Sequence, residues 1–214
     1  MARRGTDALR AAKEGASGDR SPLRLPVGSP VAGSLRPVAT RPGAVSQADI
    51  RSITEWRNRF VTSFLSEFVA TEERTERWLV ETVGPDDTRI LFMLDAADGR
   101  TVGHMGLAFI DWEAGYAEVD AVVRGAEAPA GLVSKALGAL WGWARTDLGL
   151  SQLWARVRSD NSAIAFYEKA GFRELRRVPL RRREVDDGVR WIEEPSAAAG
   201  DLSVVHMRLE NDGS

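Results

Sequence analysis

A strand end, a polar helix cap and a phenol come together in the second half of the sequence. The predicted strand ends at Val157, Asp160 or Asn161 caps the helix that follows, and Tyr167 lies six residues further along. A phenol near the carboxyl end of a strand is well placed to act on a bound ligand. We therefore predict a reaction site here, while Tyr167 as a buried core aromatic remains the alternative.

Two carboxylates mark a second candidate site. Glu118 and Asp120 lie two residues apart in a predicted strand, so their side chains share one face. A carboxylate can act as a general base, taking a proton from a bound ligand. The alternative is that both are solvated residues of an antiparallel strand.

Other chemistries are excluded by composition. The 214 residues include no cysteine, which removes disulfides, thiolate nucleophiles and zinc fingers. The two histidines, His104 and His206, cannot build a multi-histidine metal site, and no metal is expected. No apolar run reaches the ~18 residues of a membrane span, and the first residues lack the apolar core of a secretory signal. We expect a cytoplasmic protein.

Residues 1–33 differ in composition from the rest. They are rich in Arg, Gly, Pro and Ala, and we predict a basic, disordered leader. Residues 1–42 carry eight basic and three acidic side chains, so the rest of the chain has a net charge of −7. That charge argues against a nucleic-acid partner.

Residues 34–210 read as one domain. An edge strand containing Pro37 and two helices, at 47–59 and 71–84, precede three strands at 89–94, 101–111 and 116–123. A long helix, a strand at 150–157, a short helix and further strands follow, with a hairpin at Asp187-Gly188. The order predicts an α/β (α+β mixed) fold, with a central mixed sheet made of an antiparallel meander and a parallel crossover, and helices on both faces.

The tract Ser159 to Phe172, S-D-N-S-A-I-A-F-Y-E-K-A-G-F, resembles the C-terminal coenzyme A motif of the GNAT (GCN5-related) N-acetyltransferases. Upstream, Leu35-Arg36-Pro37, Trp56-Arg57-Asn58, Trp78, Val102-Gly103-His104 and Ala117 to Asp120 follow the order of the branch that includes ribosomal-protein and amino-sugar N-acetyltransferases. The resemblance covers about 34–210.

The resemblance implies roles for individual residues. Tyr167 would protonate the departing thiolate, and Glu118 would take the proton of the amine. Backbone amides at 121–123 would polarise the thioester, and the strand at 119–123 would pair with pantetheine. The expected coenzyme A contacts are Ala121, Val122, Val123, Arg124, Gly125, Gly131, Leu132, Val133, Ser134, Asn161, Ala163 and Phe166, and the expected acceptor contacts are Trp56, Arg57, Asn58 and Asp120.

One loop departs from the family pattern. The family has a basic or amide residue, then two small residues, before the long helix, where amides hold the pyrophosphate. Here Ala128 replaces the first, Gly131 fits, and Val133 brings a branched side chain; Arg124-Gly125 lies upstream as a substitute. Weakened coenzyme A binding, a donor on an acyl carrier protein, and loss of catalysis are the alternatives that this departure opens.

The function expected from the resemblance is acyl transfer, most simply from acetyl-CoA, to a primary amine of a small molecule such as an amino sugar, within a ternary complex. The absence of cysteine favours direct transfer. A peptide or protein N-terminus, a longer acyl-CoA and a homodimer remain open, as does a non-catalytic module that binds acyl-CoA.

Overall fold

Five α-helices and ten strands form within the residues that the computed structural model describes, which are 2–18, 22–196, 200 and 202–210. A 3₁₀ turn spans Val61–Ser63 and a π-helical turn spans Leu79–Val83. The helices are α1 (Ala2–Ala16), α2 (Gln47–Arg59), α3 (Glu72–Trp78), α4 (Leu132–Thr146) and α5 (Ala163–Lys169). The strands are β1 (Leu25–Val27), β2 (Gly33–Pro37), β3 (Ser66–Glu67), β4 (Ile90–Ala96), β5 (Thr101–Asp111), β6 (Tyr116–Arg124), β7 (Gln152–Arg158), β8 (Phe172–Val185), β9 (Gly188–Glu193) and β10 (Ser203–Leu209).

The chain divides into two units. The first comprises residues 1–54 and 72–153, and the second comprises 55–71 and 154–214. In the first unit the strands lie in the order β1-β2-β4-β5-β6, and each neighbouring pair is antiparallel. This is the predicted meander, extended by β1 and β2.

Helices cover both faces of the sheet in the first unit. Alternate residues of β2 point to opposite faces. On one face, Arg36 donates two hydrogen bonds to Asp49 of α2, at 2.7 and 2.8 Å. On the other face, Gly33 lies against Leu132 of α4. Helices on both sides of this sheet agree with the prediction.

The N-terminal residues differ from the predicted disordered leader. Residues 2–16 form α1, with Leu9 fully buried, and 25–27 form β1, paired with β2. At Gly5 the helix comes so close to the carbonyl of Leu148 and the ring of Trp112 that a Cβ would collide with both. Composition suggested disorder because bulky side chains are few, but a face of Gly, Ala and Leu allows this close packing. Residues 1 and 19–21 of the predicted leader lie outside the described part.

Lys13 connects α1 by hydrogen bonds to the segment at 83–86, which begins at the end of the π-helical turn after α3. Its Nζ donates to the carbonyls of Val83 at 2.6 Å, Gly84 at 3.2 Å and Asp86 at 2.7 Å. These carbonyls follow the end of a helix, where a cation is favoured. Burial lowers the pKa of Lys13 to about 8, against the opposing influence of Asp86.

The second unit contains a strand order of β7-β10-β8-β9-β3, again with antiparallel neighbours. The predicted hairpin is present: Val185 pairs with Gly188 across a turn made of Asp186 and Asp187. At Gly188, β3 comes so close that a Cβ would collide with the carbonyl of Glu67. α5 packs on β8 through Tyr167 and Phe172.

The predicted α/β class is confirmed: each of the two units combines strands with helices. One local prediction is wrong. Pro37 suggested an edge strand, yet β2 lies between β1 and β4. Pro37 is the last residue of β2, where its missing N–H removes no interior ladder bond.

Candidate active site

The two predicted carboxylates share one face of β6 and each has a polar neighbour. Ala117 and Val119 are buried on the opposite face, which leaves Glu118 and Asp120 half-buried. The phenol of Tyr116 donates to Glu118, and Nη1 of Arg89 lies 3.3 Å from Oδ2 of Asp120. Asp120 is therefore paired with a cation, and Glu118 accepts a hydrogen bond from a phenol. The general-base role of Glu118 stays a prediction.

A bulge interrupts β6 immediately after these carboxylates. Asp120 pairs with Gly106 and Val123 pairs with His104, so Ala121 and Val122 together lie opposite Met105. Ala121 has a φ of 52°, a left-handed conformation that is strained for a residue other than glycine. Nδ1 of His104 lies 2.7 Å from the Ala121 carbonyl, so it carries the proton and donates. His104 thus holds the bulge in place.

The loop between β6 and α4 ends in free helix amides. The N–H groups of Gly125 and Ala126 both donate to the Val102 carbonyl, at 2.9 and 3.0 Å. Gly131 has a φ of 75° and open space where a Cβ would be. Within the described residues, the N–H groups of Val133 and Ser134 have no backbone acceptor. A helix start of this kind suits the phosphate groups of coenzyme A.

Ala128 cannot supply the basic or amide group that the family pattern has at its position, but basic side chains of other residues lie near this loop. Arg124 and Lys135 are exposed at its two ends. Nη1 of Arg100, on the turn before β5, lies 3.5 Å from the Glu127 carbonyl. Arg100 could not be found from the motif because it lies on another hairpin. These residues fit an anionic cofactor despite the departure from the family pattern.

At the start of α5, Asn161 and Asp160 have separate roles. Oδ1 of Asn161 accepts from the N–H of Ala163 at 2.9 Å, and its Nδ2 donates to the Ser63 carbonyl at 3.1 Å. Asp160 turns back and forms two bonds of 2.8 Å with Arg158. The N-cap position is Ser162, one residue after the predicted Asp160 or Asn161, and the side chain of Asn161 bonds instead to the first helical amide while tying α5 to the chain around Ser63.

Tyr167 lies in an aromatic cluster. Its ring meets the edges of Phe166 and Phe172, with both pairs of centroids 5.2 Å apart, and only 6% of the residue is exposed. This is the environment of the core aromatic that the sequence left open. A phenol can combine ring packing with a working hydroxyl, so the acid role of Tyr167 stays a prediction.

The predicted acceptor residues organise the loop at 60–71. Asn58 pairs with Ala70 in both directions, accepting from its N–H at 2.8 Å and donating to its carbonyl at 3.0 Å. The guanidinium of Arg57 lies over the rings of Phe64, at 3.8 Å, and Phe68, at 4.6 Å. Trp56 is buried. Their contact with an acceptor stays a prediction.

A buried arginine anchors the same loop from β7. Arg158 donates to Glu67 at 2.5 Å as well as to Asp160, and the indole of Trp191 donates to Glu67 at 2.7 Å. Hydrogen bonds from Arg158 lower the pKa of Asp160. Burial acts to raise the pKa of Glu67, but the bonds from Trp191 and Arg158 lower it. The cluster therefore holds its carboxylates ionised.

The predicted site residues fall into the two units. Glu118, Asp120 and the 121–134 segment belong to the first unit, whereas 56–58, Asn161 and Tyr167 belong to the second. Sequence reasoning did not find Tyr116 or the holding role of His104. The alternation of Tyr116, Glu118 and Asp120 along β6 could have revealed the former. Nothing in the sequence signals the latter, because His104 acts from the neighbouring strand.

Two kinds of feature are absent from the described residues. No group of three or more His, Asp or Glu side chains there is arranged to bind a metal ion. None of the helices in that part of the chain has the length and apolar character needed to cross a membrane.

Comparison with solved structures gives relatives of low identity and similar fold. Spermidine N-acetyltransferase from Vibrio cholerae in complex with CoA and spermine has a TM-score of 0.60 and 17% identity, covering 83% of this chain and 95% of that one. A GNAT-family acetyltransferase from Bacillus anthracis has 0.62 and 16%, covering 87% and 98%. A GCN5-related N-acetyltransferase from Brucella melitensis has 0.62 and 16%, covering 88% and 79%.

The family is shown by a sequence model. Comparison with the sequences of curated proteins gave no match. The model of the acetyltransferase (GNAT) domain, however, matches residues 43–173, which is more than half of the chain. The matched range contains β6 with its bulge, the α4 loop and the α5 motif. The chain therefore belongs to the GNAT acetyltransferase family and is an acyltransferase enzyme.

Proposed function

We propose that this enzyme transfers the acetyl group of acetyl-CoA directly to a primary amine of a small molecule, with an amino sugar as the first candidate. One observation carries the proposal. On β6, the carboxylates Glu118 and Asp120, the bulge at Ala121-Val122 and the free amides of the α4 loop follow one another along a single stretch of chain.

The residues supply the steps of a direct transfer. Glu118 takes a proton from the bound ammonium group, so that its nitrogen attacks the thioester carbonyl. Backbone amides at 121–123 stabilise the negative charge on the carbonyl oxygen. The carbon–sulfur bond then breaks, and Tyr167 gives its proton to the thiolate. The α4 loop, with Gly131, Leu132, Val133 and Ser134, binds the pyrophosphate, assisted by Arg124 and Gly125.

Three classes of amine are candidates for the acceptor. The resemblance through Trp56-Arg57-Asn58 favours an amino sugar. Spermidine and spermine, named for the Vibrio cholerae enzymes, are polycations, and the carboxylate face of β6 would also suit a positively charged amine. Asp120 would hold such an acceptor beside Glu118. A test panel therefore needs an amino sugar, a polyamine and a peptide with a free N-terminus.

A second candidate is a module that binds acyl-CoA without turnover. Two observations favour it: Ala128 and Val133 replace residues that the family uses to hold the pyrophosphate, and the Tyr167 ring is enclosed by Phe166 and Phe172. Measurements of amine acetylation and of coenzyme A binding distinguish the enzyme from the binding module.

The test is release of free thiol from acetyl-CoA with each amine of the panel. Because the protein contains no cysteine, a thiol reagent reports only the coenzyme A that is released. Thiol release that depends on one amine, together with the acetylated amine in the mass spectrum, is the expected result. Coenzyme A binding without turnover on any amine would support the module. A protein that binds no coenzyme A would contradict both candidates.

A further inference from the structure

The hairpin of β8 and β9 distributes its charges unevenly between its two faces. Directly paired residues of antiparallel strands share a face. On one face lie Arg182, Glu184 and Glu193, with Glu67 of β3 beside them. Glu184 pairs with Arg182 at 2.8 Å, and Glu67 pairs with Arg158, so this face is compensated.

The opposite face carries two arginines, Arg183 and Arg190, that lack an acidic partner within the described residues. Arg183 lies directly opposite Arg190, and Arg190 lies opposite Ser66 of β3 on its other side. The remaining residues of this face, Arg181, Val185, Gly188 and Ile192, include no carboxylate. Arg181 pairs with Glu194, beyond the end of β9. Arg183 and Arg190 are exposed and have no ion-pair partner among residues 2–18, 22–196, 200 and 202–210.

Two like charges directly across a strand pair destabilise a hairpin. The side chains of such a pair are about 5 Å apart at Cβ, a spacing at which two guanidinium groups can hold one oxyanion between them. A bound oxyanion would convert the repulsion into two charge-assisted interactions.

Ser66 and Arg57 add to this arrangement. Nη2 of Arg57 donates to the Ser66 carbonyl and, at 3.0 Å, to its Oγ. Because Oγ accepts from Arg57, the hydroxyl proton of Ser66 is free to point to an anion. The row of Arg183, Arg190 and Ser66, with Arg57 behind it, thus presents donors only.

We infer that Arg183, Arg190 and Ser66 form an oxyanion-binding site for a phosphate or carboxylate group of a ligand. This site is separate in sequence from the α4 loop proposed for the pyrophosphate of coenzyme A, and its contacts lie within the second unit. A phosphate is expected to bind more tightly than a carboxylate because it carries more charge.

The test uses the full chain in a chloride buffer of low ionic strength, with coenzyme A added to occupy the α4 loop. Inorganic phosphate and acetate are titrated in separate calorimetric experiments. The R183Q/R190Q double variant should bind phosphate roughly tenfold or more weakly. The matched control is R173Q, which removes an exposed arginine of the same strand that pairs with Glu210; it should bind phosphate as the wild type does.

A second measurement covers folding. Without added oxyanion, R190Q should melt at a higher temperature than the wild type because the repulsion is gone, and phosphate should close that gap. Equal phosphate binding by the wild type and the double variant would overturn the inference, as would a wild type that binds neither anion. Both outcomes are read from anion binding and not from turnover or coenzyme A affinity, so they stay informative even if coenzyme A does not bind and the proposed function fails.

Discussion

The two regions that carry the predicted site residues use their polar groups differently. On β6, two half-buried carboxylates precede a strained bulge, and the loop that follows ends in helix amides without a backbone acceptor among the described residues. Around 56–71 and α5, the polar groups of Asn58, Arg57 and Asn161 bond to the chain itself. The first region has helix amides that lack a backbone acceptor within the described residues, whereas the second uses its polar groups to hold a loop.

The difference assigns different expected effects to the two regions. Changes on β6 should alter the chemical step with little effect on folding. Changes at 56–71 and α5 should alter stability first and activity through it. Tyr167 is the exception, since it lies in the second region and is proposed to act on the leaving group.

Tyr167 therefore gives the largest expected effect and the strictest test of the difference between the two regions. Y167F keeps the ring among Phe166 and Phe172 but removes the hydroxyl. If the hydroxyl is the acid, turnover should fall roughly ten- to a thousandfold while the affinity for coenzyme A is unchanged. Steady-state kinetics and calorimetry measure the two quantities. An unchanged rate would return Tyr167 to a purely structural role.

Glu118 tests the first region. E118Q preserves side-chain volume and the contact with Tyr116 but removes the base, so turnover should fall by roughly a factor of a hundred. The rising limb of the pH–rate profile should flatten. D120N is the matched comparison, because Asp120 is already paired with Arg89, and its profile should keep the limb. A limb lost in D120N and kept in E118Q would reverse the assignment.

Asn58 tests the second region. N58A removes both bonds to Ala70, so chemical denaturation should show a loss of about 1–3 kcal/mol of unfolding free energy. The Michaelis constant of the amine should rise more than turnover falls, because the loop loses its position. The adjacent exposed residue Arg59 provides the control variant R59A. A variant with wild-type stability and no turnover would place Asn58 in the chemical step instead.

Lys13 lies away from both regions and gives the smallest expected effect on turnover. Its pKa is about 8 in the folded protein and near 10.5 when exposed, so the folded state binds fewer protons between these values. Unfolding free energy should therefore rise with pH from about 8 to 10.5. K13M should lose this rise, and denaturation curves across that range measure it. The same rise in K13M would show that other groups cause it.

Periodicity predicted the regular elements that bury one face through bulky side chains. Buried residues alternate with less buried ones in the first half of β6 and recur every three to four residues in α4. Both patterns reflect burial on one face, and both are visible in the sequence as the spacing of apolar residues. α1 was not predicted because its contact face contains small residues such as Gly5 and Ala12. These residues stabilise the packing by allowing a close approach and bury little apolar volume.

The candidate site was only partly predictable. Glu118 and Asp120 follow from strand geometry, but the bulge does not, because Ala121 carries no sign that its φ is positive. The hydrogen bond from His104 depends on the register of β5 against β6, which a single sequence does not specify. Contacts that join distant segments, such as Asn161 with Ser63, have the same cause.

The central claim is acetyl transfer to an amine, and isotope transfer tests it most directly. The protein is incubated with acetyl-CoA labelled in the acetyl group and the amine panel, and each amine is examined by mass spectrometry. The account predicts the label in an amide of one amine, in an amount equal to the thiol released. Label that stays on coenzyme A for every amine, in protein shown to be folded, would contradict it.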